Sequence, residues 1–428
     1  MQKDIAEFER YFDRLWPILR SITGKGVRET HSILSELVPL KRIEIPSGKK
    51  VFDWTIPKEW VVRDAYLIDP AGEKIIDVKD NNLHLLNYSM PFKGKIPLDE
   101  LQNHLYSFPE VPQAIPYKTS YYSSNWGFCL SENQRRRLKK GHYEVFIDTD
   151  FIDGSLTISE AVLPGETKDE VLISTYTCHP SLANNELCGM LAAAFLYRRL
   201  SELKRRRLTY RFVLLPETIG SIVYLDLYGD HFKKHMIAGY VMTCLGAKGP
   251  FVYKRSRRGN TIADRSVEYV FKGLKDSVIL DFFPHSGSDE RQYCSPGFDL
   301  PVGSIMRLMY GEYKEYHTSL DNRDFISFEA MQESTDLYYK VCLALEKNVT
   351  YKNRVMFCEP QLGKYGLYSL LGASQTRHRF TEAILWLLNL SDGNNDLLAI
   401  AEKSRLDIDF IYKVSQDCLE KKLIELVQ

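Results

Sequence analysis

Two patterns of apolar residues alternate between residues 168 and 347. Short runs that are apolar at nearly every position indicate strands buried on both faces, and longer runs with helical spacing indicate helices. The predicted strands read EVLISTYT, TYRFVLLP, IAGYVMTCL and LPVGSIM, and the predicted helices read LCGMLAAAFLYRRLSEL, ADRSVEYVFKGLK and FEAMQESTDLYYKVCLALEK. Strands that alternate with helices predict an α/β fold with a mostly parallel sheet covered by helices.

The segments before this region follow other patterns. Residues 4–38 repeat apolar side chains at helical spacing and predict one or two helices. Residues 47–165 contain short β-rich runs and predict a mostly antiparallel module. Two hairpins are expected in it, one at the segment PAGE and one where YEVFIDTDF and SLTISEAVL flank Asp153 and Gly154.

The last 70 residues contain short helical patterns alone and resemble a winged-helix or helix-turn-helix unit. The end of the sequence at Gln428 leaves little room for a wing. Residues 359–428 hold eight basic and ten acidic residues, and the second helix of the motif opens with Asp407 and Asp409. Negative charge there opposes insertion into a DNA groove, so we expect a packing or dimerisation element that binds no nucleic acid.

Composition excludes several classes of protein. The 428 residues contain 56 Lys+Arg and 56 Asp+Glu, and this neutrality argues against a nucleic-acid coat or a polybasic membrane binder. The sequence has no apolar stretch of about 18 residues, so we expect a cytoplasmic protein without a membrane partner. The eight cysteines form no CxxC pair, which favours reduced thiols over disulfides or a zinc ribbon.

Three polar residues follow predicted strands, where α/β sheets place their chemistry. His179 follows EVLISTYTC, Glu217 follows RFVLLP, and His317 lies downstream of LPVGSIM. Two histidines and a carboxylate can hold zinc, which makes hydroxide available near neutral pH. Taken singly, His179 could instead cap a strand, Glu217 could cap the next helix, and His317 could be a buried hydrogen-bonded imidazole.

Four segments carry a resemblance to a known family. CHPSLANNELCG, LLPETIGS, GSDERQYCSPGFDLPVGS and GEYKEYHTSLDN, in this order, resemble the bacterial aminopeptidase-like family with an M28-type zinc-peptidase core. The resemblance covers essentially the whole chain and implies a zinc-dependent aminopeptidase-like hydrolase. It implies a core at residues 1–46 and 166–358, a β-rich inserted domain at 47–165 and a winged-helix-like domain at 359–428.

Only some of the metal-site positions of that core have a matching residue in this sequence. His179 resembles the first metal histidine and His317 the last, whereas Asn185 lies where the core has an aspartate that bridges two metals. Thr243 lies where a further metal aspartate is expected, and Glu217 is a single carboxylate where the core has two. A neutral amide bridges divalent cations poorly, so we expect at most one zinc ion per chain. Its ligands are expected among His179, Asn185, Glu217 and His317.

The catalytic base is less defined than the metal site. If Glu217 binds the metal, it cannot easily also deprotonate the water. Glu217 and Glu186 are the predicted catalytic residues, because Glu186 follows the altered Asn185 and could replace Glu217 as the base. The nearby carboxylates Asp289 and Glu290 are further candidates for this role. The residues expected to contact the substrate are Asp289, Glu290, Arg307 and Tyr316.

The residues and the resemblance together leave three hypotheses. The first is a single-zinc hydrolase that cleaves an amide bond of a small peptide or an aminoacylated metabolite. The second is a non-catalytic binding protein that retains the peptidase pocket. The third, a DNA-binding regulator, rests on the helix-turn-helix alone and is disfavoured by its charge. The 26 tyrosines and the helical tail make a homo-oligomer possible.

Overall fold

The computed structural model describes residues 2–284, 286–367 and 375–427. The chain forms two compact units. The first contains Met1–Asp264 and Asp276–Asp336, and the second contains Arg265–Lys275 and Leu337–Gln428. In the described part of the chain, none of the helices combines the length and apolar character that a membrane span requires.

The first unit begins with helices and then becomes β-rich. Its first elements are α1 (Gln2–Leu15), α2 (Lys25–Leu34) and β1 (Lys41–Pro46). The next elements are β2 (Lys50–Val51), β3 (Trp54–Thr55), β4 (Glu59–Ile68), β5 (Lys74–Asp77), β6 (Phe92–Pro97), α3 (Leu98–Leu101), β7 (Leu105–Tyr106), β8 (Phe128–Cys129), α4 (Glu132–Arg135) and β9 (His142–Ile152). Two helices over residues 4–38 agree with the spacing of apolar residues.

The rest of the first unit alternates strands with helices. The elements are β10 (Ser155–Leu163), β11 (Glu170–Tyr176), α5 (Cys188–Ser201), β12 (Thr209–Leu215), α6 (Ile219–His235), β13 (Met236–Met242), β14 (Phe251–Lys254), α7 (Ile262–Phe271), β15 (Ser277–Leu280), α8 (Glu290–Tyr293), β16 (Val302–Met306) and α9 (Phe328–Lys347). Helices α7 and α9 have residues in both units.

One sheet of eight described strands forms the core of the first unit. Its order is β1-β10-β12-β11-β13-β16-β14-β15, and β12, β11, β13 and β16 are mutually parallel neighbours. Each residue of β11 is buried, as expected of a strand covered on both faces. The predicted α/β class with a mostly parallel sheet is therefore confirmed.

Helix α5 packs closely on this sheet because its sequence is apolar on every side. All of its residues from Cys188 to Tyr197 are buried. A Cβ atom at Gly189 would lie 2.4 Å from the carbonyl oxygen of Met242, so glycine permits the backbones to approach. This approach fixes the turn before α5 against the carboxyl end of β13.

A four-stranded antiparallel sheet, β5-β4-β9-β6, lies in the β-rich segment. Its β4–β5 hairpin agrees with the predicted turn at PAGE, where Gly72 has a φ of 89°. The second predicted hairpin is wrong, because β9 pairs with β4 and β6 whereas β10 pairs with β1 and β12. Residues 155–163, placed by the predicted domain division in the insertion, thus lie in the large sheet.

The second unit contains helices and a small sheet. Besides its parts of α7 and α9, its elements are β17 (Thr350–Asn353), α10 (Gln375–Leu390), β18 (Asp392–Asp396), α11 (Leu397–Ser404), α12 (Ile408–Glu420) and β19 (Ile424–Leu426). The strands form an antiparallel sheet in the order β18-β17-β19. The expectation of little room for a wing is therefore wrong, because β17, from before the helices, completes a sheet with the last strand.

Candidate functional site

The carboxyl ends of two adjacent parallel strands bring His179 and Glu217 together. His179 follows β11 and Glu217 follows β12, and His179 Nε2 lies 3.6 Å from Glu217 Oε2. The loop after β16 adds His317, whose ring centroid lies 5.2 Å from that of His179. The structure thus joins the three residues that the strand ends predicted.

Glu186 lies behind His179 and fixes the orientation of its ring. Glu186 is in one turn of π-helix, Ala183–Leu187, that precedes α5. Its Oε2 accepts hydrogen bonds from the backbone N–H of Cys178 at 2.8 Å and from the backbone N–H of His179. The same oxygen lies 2.8 Å from His179 Nδ1. A carboxylate on Nδ1 favours the tautomer in which Nε2 carries a lone pair.

Arg20 holds the other oxygen of this carboxylate. Arg20 Nε donates to Glu186 Oε1 at 2.9 Å and to the carbonyl oxygen of His179 at 2.9 Å. Both charged side chains are fully buried. These contacts do not agree with the prediction that Glu186 is a catalytic base, because both of its oxygens are occupied and Glu186 is not among the residues that line the cavity described below.

Cys178, His179 and Glu186 also form a cluster of possible metal ligands, whose ligand atoms all lie within 4.8 Å of one another. Its hydrogen bonds argue against a metal there, because Glu186 already pairs with Arg20 and with His179 Nδ1. Burial, followed by the charges of Glu186 and Glu217, raises the pKa of the Cys178 thiol well above its usual value. A protonated thiol is a poor zinc ligand.

The π-helical turn also positions Asn185. The Asp321 carboxylate accepts from the backbone N–H groups of Asn184 at 2.6 Å and Asn185 at 2.9 Å. The Asn185 Nδ2 donates to the Tyr176 hydroxyl at 2.9 Å, and its backbone oxygen accepts from Thr243 Oγ1 at 2.7 Å. Asn185 Oδ1 is buried and has no hydrogen-bond partner among the residues the structure describes.

His317 is held in an unusual backbone conformation. Its φ is 51°, in the left-handed region that non-glycine residues rarely adopt. Its carbonyl oxygen accepts from the Tyr117 N–H at 2.7 Å, and its ring stacks on Tyr316 with centroids 4.0 Å apart. Burial, followed by the charges of His179 and Lys118, lowers the pKa of His317 well below its usual value. The imidazole is therefore neutral at pH 7.

Ser288 and Asp289 support Glu217 from the loop before α8. Ser288 Oγ donates to Glu217 Oε1 at 2.6 Å, so Oε2 is the oxygen that faces His179. Asp289 Oδ1 accepts from the Thr218 N–H at 2.7 Å and from Ser221 Oγ at 2.8 Å. Burial, followed by the charge of Glu217, raises the pKa of Asp289 to about 8. Asp289 thus anchors the start of α6 at the Glu217 loop.

Glu290 and Arg307, both predicted to contact the substrate, have structural partners instead. Glu290 Oε1 accepts from Lys254 Nζ at 2.9 Å and from the Tyr310 hydroxyl at 2.7 Å, and the ion pair is fully buried. Arg307 pairs with Glu333, donates to Ser334 and Gly249, and lies over a phenylalanine ring. Substrate access to these two side chains is therefore not supported.

His179, Glu217 and His317 line one cavity of about 510 Å³. The residues described as its lining are Ile22, Trp54, Tyr117, Lys118, Thr119, Tyr121, Tyr122, Cys178, His179, Glu217, Thr218, Ile219 and His317. The predicted residues that lie outside this lining are Asn185, Glu186, Asp289, Glu290, Arg307 and Tyr316. Tyr316 nevertheless lies next to the cavity, through its ring contact with His317.

The β-rich segment supplies one wall of the cavity, which sequence reasoning missed. Residues 115–119 run beside 317–319, with the Ser319 N–H donating to the Ile115 oxygen at 2.8 Å and a bridge between Pro116 and Thr318. The stretch YKTSYYSSNW is rich in aromatic residues. Aromatic density in a polar loop is the signal that could have identified this wall.

The donor types of the cavity suit a zinc ion, and the ligand atoms of His179, Glu217 and His317, which do not all lie within 4.8 Å of one another, would have to draw together around it. Imidazole nitrogens and a carboxylate are typical zinc ligands. His317 Nε2, like Asn185 Oδ1, is buried without a hydrogen-bond partner in the part of the chain that the structure describes. His179 Nε2 and Glu217 Oε2, 3.6 Å apart, are too distant for a hydrogen bond. Two ligands on one tetrahedral zinc are separated by about 3.4 Å, which is close to this distance.

Comparison with known proteins identifies two matching families. Residues 9–348 match a domain of unknown function, DUF4910, and residues 349–426 match a winged helix-turn-helix domain. A relative in Clostridium acetobutylicum is named as a candidate polysaccharide biosynthesis protein with an aminopeptidase-like domain. It is 44% identical over 424 residues, which cover 99% of this chain and 96% of that protein.

Solved structures agree with these matches. The crystal structure of a candidate peptidase from Clostridium acetobutylicum is 43% identical, has a TM-score of 0.91 and aligns over 99% of this chain and 97% of its own. BSAP, a zinc aminopeptidase from Bacillus subtilis, has a TM-score of 0.58 at 12% identity, over 79% of this chain and 93% of its own, which shows a shared fold. The resemblance to an aminopeptidase-like core with a terminal winged helix is confirmed.

Proposed function

Because this chain belongs to the DUF4910 family and has a core with the fold of zinc aminopeptidases, we propose that it is a zinc-dependent aminopeptidase-like hydrolase. Its substrate is a small peptide or an aminoacylated metabolite, and the bond cleaved is an amide. One observation carries the proposal. His179 Nε2, Glu217 Oε2 and the unpartnered His317 Nε2 lie at a single cavity of the size that small molecules occupy.

His179, Glu217 and His317 would hold one zinc ion, and Asn185 Oδ1, buried without a partner among the described residues, is a further donor on the π-helical turn. Bound zinc polarises a carbonyl and lowers the pKa of water. Glu186 keeps the His179 ring oriented, and Ser288 keeps one Glu217 oxygen turned towards it. The protein therefore supports the ligands with second contacts, as metal sites commonly do.

Glu217 serves as a ligand in this proposal, and Asp289, which lies outside the cavity lining, holds the loop that carries Glu217. Asp289 has a pKa raised to about 8 by burial and by the charge of Glu217, so it carries a proton near neutral pH. Its Oδ2 is buried without a partner among the described residues.

Metal analysis tests the proposal directly. Protein purified without chelator should contain about one zinc per chain. His317→Ala should lose the zinc, whereas the matched control His142→Ala should retain it, because His142 is exposed on β9 and outside the cavity. Absence of zinc in the wild type, even after zinc is supplied, would contradict the proposal.

The alternative is a non-catalytic protein that binds a peptide-like ligand in the same cavity. Asn185 and Thr243 favour it, since neither supplies the carboxylate that a second metal requires. Hydrolysis of aminoacyl nitroanilides distinguishes the two functions. Zinc binding at one ion per chain without any hydrolysis would support the binding protein, and hydrolysis abolished in His317→Ala would support the enzyme.

A further inference from the structure

The cavity carries opposite charges at different points of its wall. Glu217 is the carboxylate, and Lys118 is the ammonium group, among the described lining residues. Ile22, Trp54, Tyr121 and other apolar or aromatic side chains form much of the remaining surface. A ligand that matches this wall therefore combines an apolar group with an anionic group.

The backbone of Lys118 is tied to the candidate metal site. The preceding residue, Tyr117, donates its N–H to the His317 oxygen at 2.7 Å. The Lys118 oxygen accepts from the Asn87 N–H at 2.9 Å. The Lys118 ammonium group lies 4.9 Å from the centroid of the Phe108 ring, a cation–π contact that leaves its charge unneutralised. The backbone of Lys118 is thus fixed next to the residue that contacts His317, and its exposed side chain extends to Phe108.

In the part of the chain that the structure describes, no carboxylate neutralises Lys118, because its ammonium group forms no ion pair there. A cation that lines a cavity and lacks a protein partner is available to an anion of the ligand.

We propose that Lys118 binds a free carboxylate on the leaving portion of the substrate. This inference rests on the proposed function, and it restricts the substrate class to dipeptides that carry an apolar side chain. Because Lys118 lines the same cavity of about 510 Å³ as His317, the carboxylate lies within the length of a small molecule from the scissile amide, as it does when the leaving group is a single amino acid. One ammonium group suits a carboxylate better than a phosphate, which arginine forks bind bidentately.

Binding of uncleavable dipeptide analogues tests the inference without relying on turnover. The three probes share a Leu-Gly backbone in which a CH₂–NH group replaces the amide. They differ in the terminal group, which is a free carboxylate, a carboxamide or a phosphonate. Isothermal titration with zinc-loaded wild type should show binding of the free acid about 5-fold tighter than the carboxamide, as expected for one partly exposed ion pair. Lys118→Gln should bind both with equal affinity.

The matched control is Lys168→Gln, an exposed lysine outside the cavity, which should keep the wild-type preference. Equal binding of the acid and the carboxamide by wild type, or an unchanged preference in Lys118→Gln, would overturn the inference and leave the proposed function standing. Tighter binding of the phosphonate than of the carboxylate would also overturn it. Failure of all three probes to bind, in protein that holds zinc, would overturn both the inference and the proposed substrate class.

Discussion

Arg20 and Glu186 show how one buried ion pair positions a ligand of the candidate site. Taking two charges out of water is costly, so a pair without solvent exposure persists only where its oxygens and nitrogens are well bonded. Here the carboxylate receives Arg20, two backbone N–H groups and His179 Nδ1. Burying the two charges is therefore unfavourable in free energy, and the pair fixes which His179 nitrogen faces Glu217.

Removing Arg20 should weaken the zinc site without touching a zinc ligand. We expect Arg20→Met to lower zinc affinity by about 10–100-fold, the range for contacts that orient a ligand. It should also lower the free energy of unfolding by about 3–5 kcal/mol, because Glu186 would remain buried and unpaired. Competition with a chromophoric chelator measures the affinity, and denaturant unfolding measures the stability.

Two variants separate positioning from general destabilisation. Arg20→Lys keeps the charge and should recover part of the zinc affinity. Arg14→Met removes an exposed pair with Glu36 and should leave zinc affinity unchanged. The ring ¹⁵N shifts of His179 give a second readout, since they should move in Arg20→Met even without zinc. Unchanged shifts and affinity would show that Arg20 only stabilises the fold.

His31 makes a separate prediction about pH. It is buried on α2, between Thr177 Oγ1 at 2.8 Å and Ser159 Oγ at 2.8 Å. Burial, followed by the charge of Arg42, lowers its pKa to about 3, whereas an unfolded histidine titrates near 6.5. Below about pH 6.5 the unfolded chain thus binds a proton that the native chain does not bind. The contribution of His31 to the free energy of unfolding is therefore fully present above about pH 6.5 and falls as the pH decreases towards 3.

Replacing His31 by glutamine should remove the part of the pH dependence of stability that comes from His31. The unfolding free energy of the wild type should fall more steeply than that of His31→Gln, by up to about 1.4 kcal/mol per pH unit between about pH 6 and pH 4. Denaturant unfolding of both proteins at several pH values measures the difference in slope. Parallel slopes would contradict the assigned pKa, whatever the offset between the two curves.

At the level of elements, the sequence predicted the positions of strands better than the pairing between them. The strand ends that carry His179 and Glu217 were correct, because unbroken apolar runs are typical of strands inside a parallel sheet. The predicted hairpin at Asp153-Gly154 does not form, and the two strands on either side of it differ in their burial. Strand β9 alternates between buried and less buried residues, whereas β10 is buried at most positions and belongs in the covered sheet.

The π-helical turn at Ala183–Leu187 makes the next prediction. Asn185→Asp places a carboxylate where the structure has an unpartnered amide oxygen, close to the Asp321 carboxylate that bonds its N–H. Without zinc, the added buried charge should lower the melting temperature. With zinc, the metal content per chain or the zinc affinity should rise above that of wild type.

Asn184→Asp is the matched control on the same turn. Its Oδ1 already accepts from the Gly246 and Ala247 N–H groups, so the new charge is bonded away from the candidate ligands. Zinc content should stay at the wild-type level in this variant. Metal analysis and melting curves with and without zinc provide the comparison, and identical zinc binding by Asn185→Asp and wild type would count against Asn185 as part of the site.

At the scale of the whole molecule, the sequence could locate one side of the cavity only. His179, Glu217 and His317 follow strands of one sheet, so a rule about strand ends brings them together. Lys118 and Tyr117 come from the β-rich segment and reach the site through pairing with residues 317–319. The aromatic run marks this loop, but no local pattern reports which segment the loop pairs with. Buried pairs such as Lys254 with Glu290 are equally non-local, and this explains why Glu290 was expected in the pocket.

The winged-helix unit leads to the last prediction, that the protein does not bind DNA. Helix α12 opens with Asp407, whose carboxylate caps the helix by accepting from the Asp409 N–H at 2.8 Å, and with Asp409 itself. Recognition helices present their first residues to the groove, where these carboxylates would face phosphates. Residues 359–428 also carry a net charge of −2, so the counterion release that drives non-specific binding is missing.

Gel retardation of the full chain on duplex DNA checks this expectation. No shift should occur at protein concentrations up to about 100 µM in physiological salt, the weak limit of non-specific binding. Asp409→Lys reverses one exposed charge at the start of α12 and should increase retardation at low salt if charge is the reason. Micromolar binding by the wild type that weakens as salt increases would show instead that other basic groups contact the phosphates, and would restore a regulator as a function of this unit.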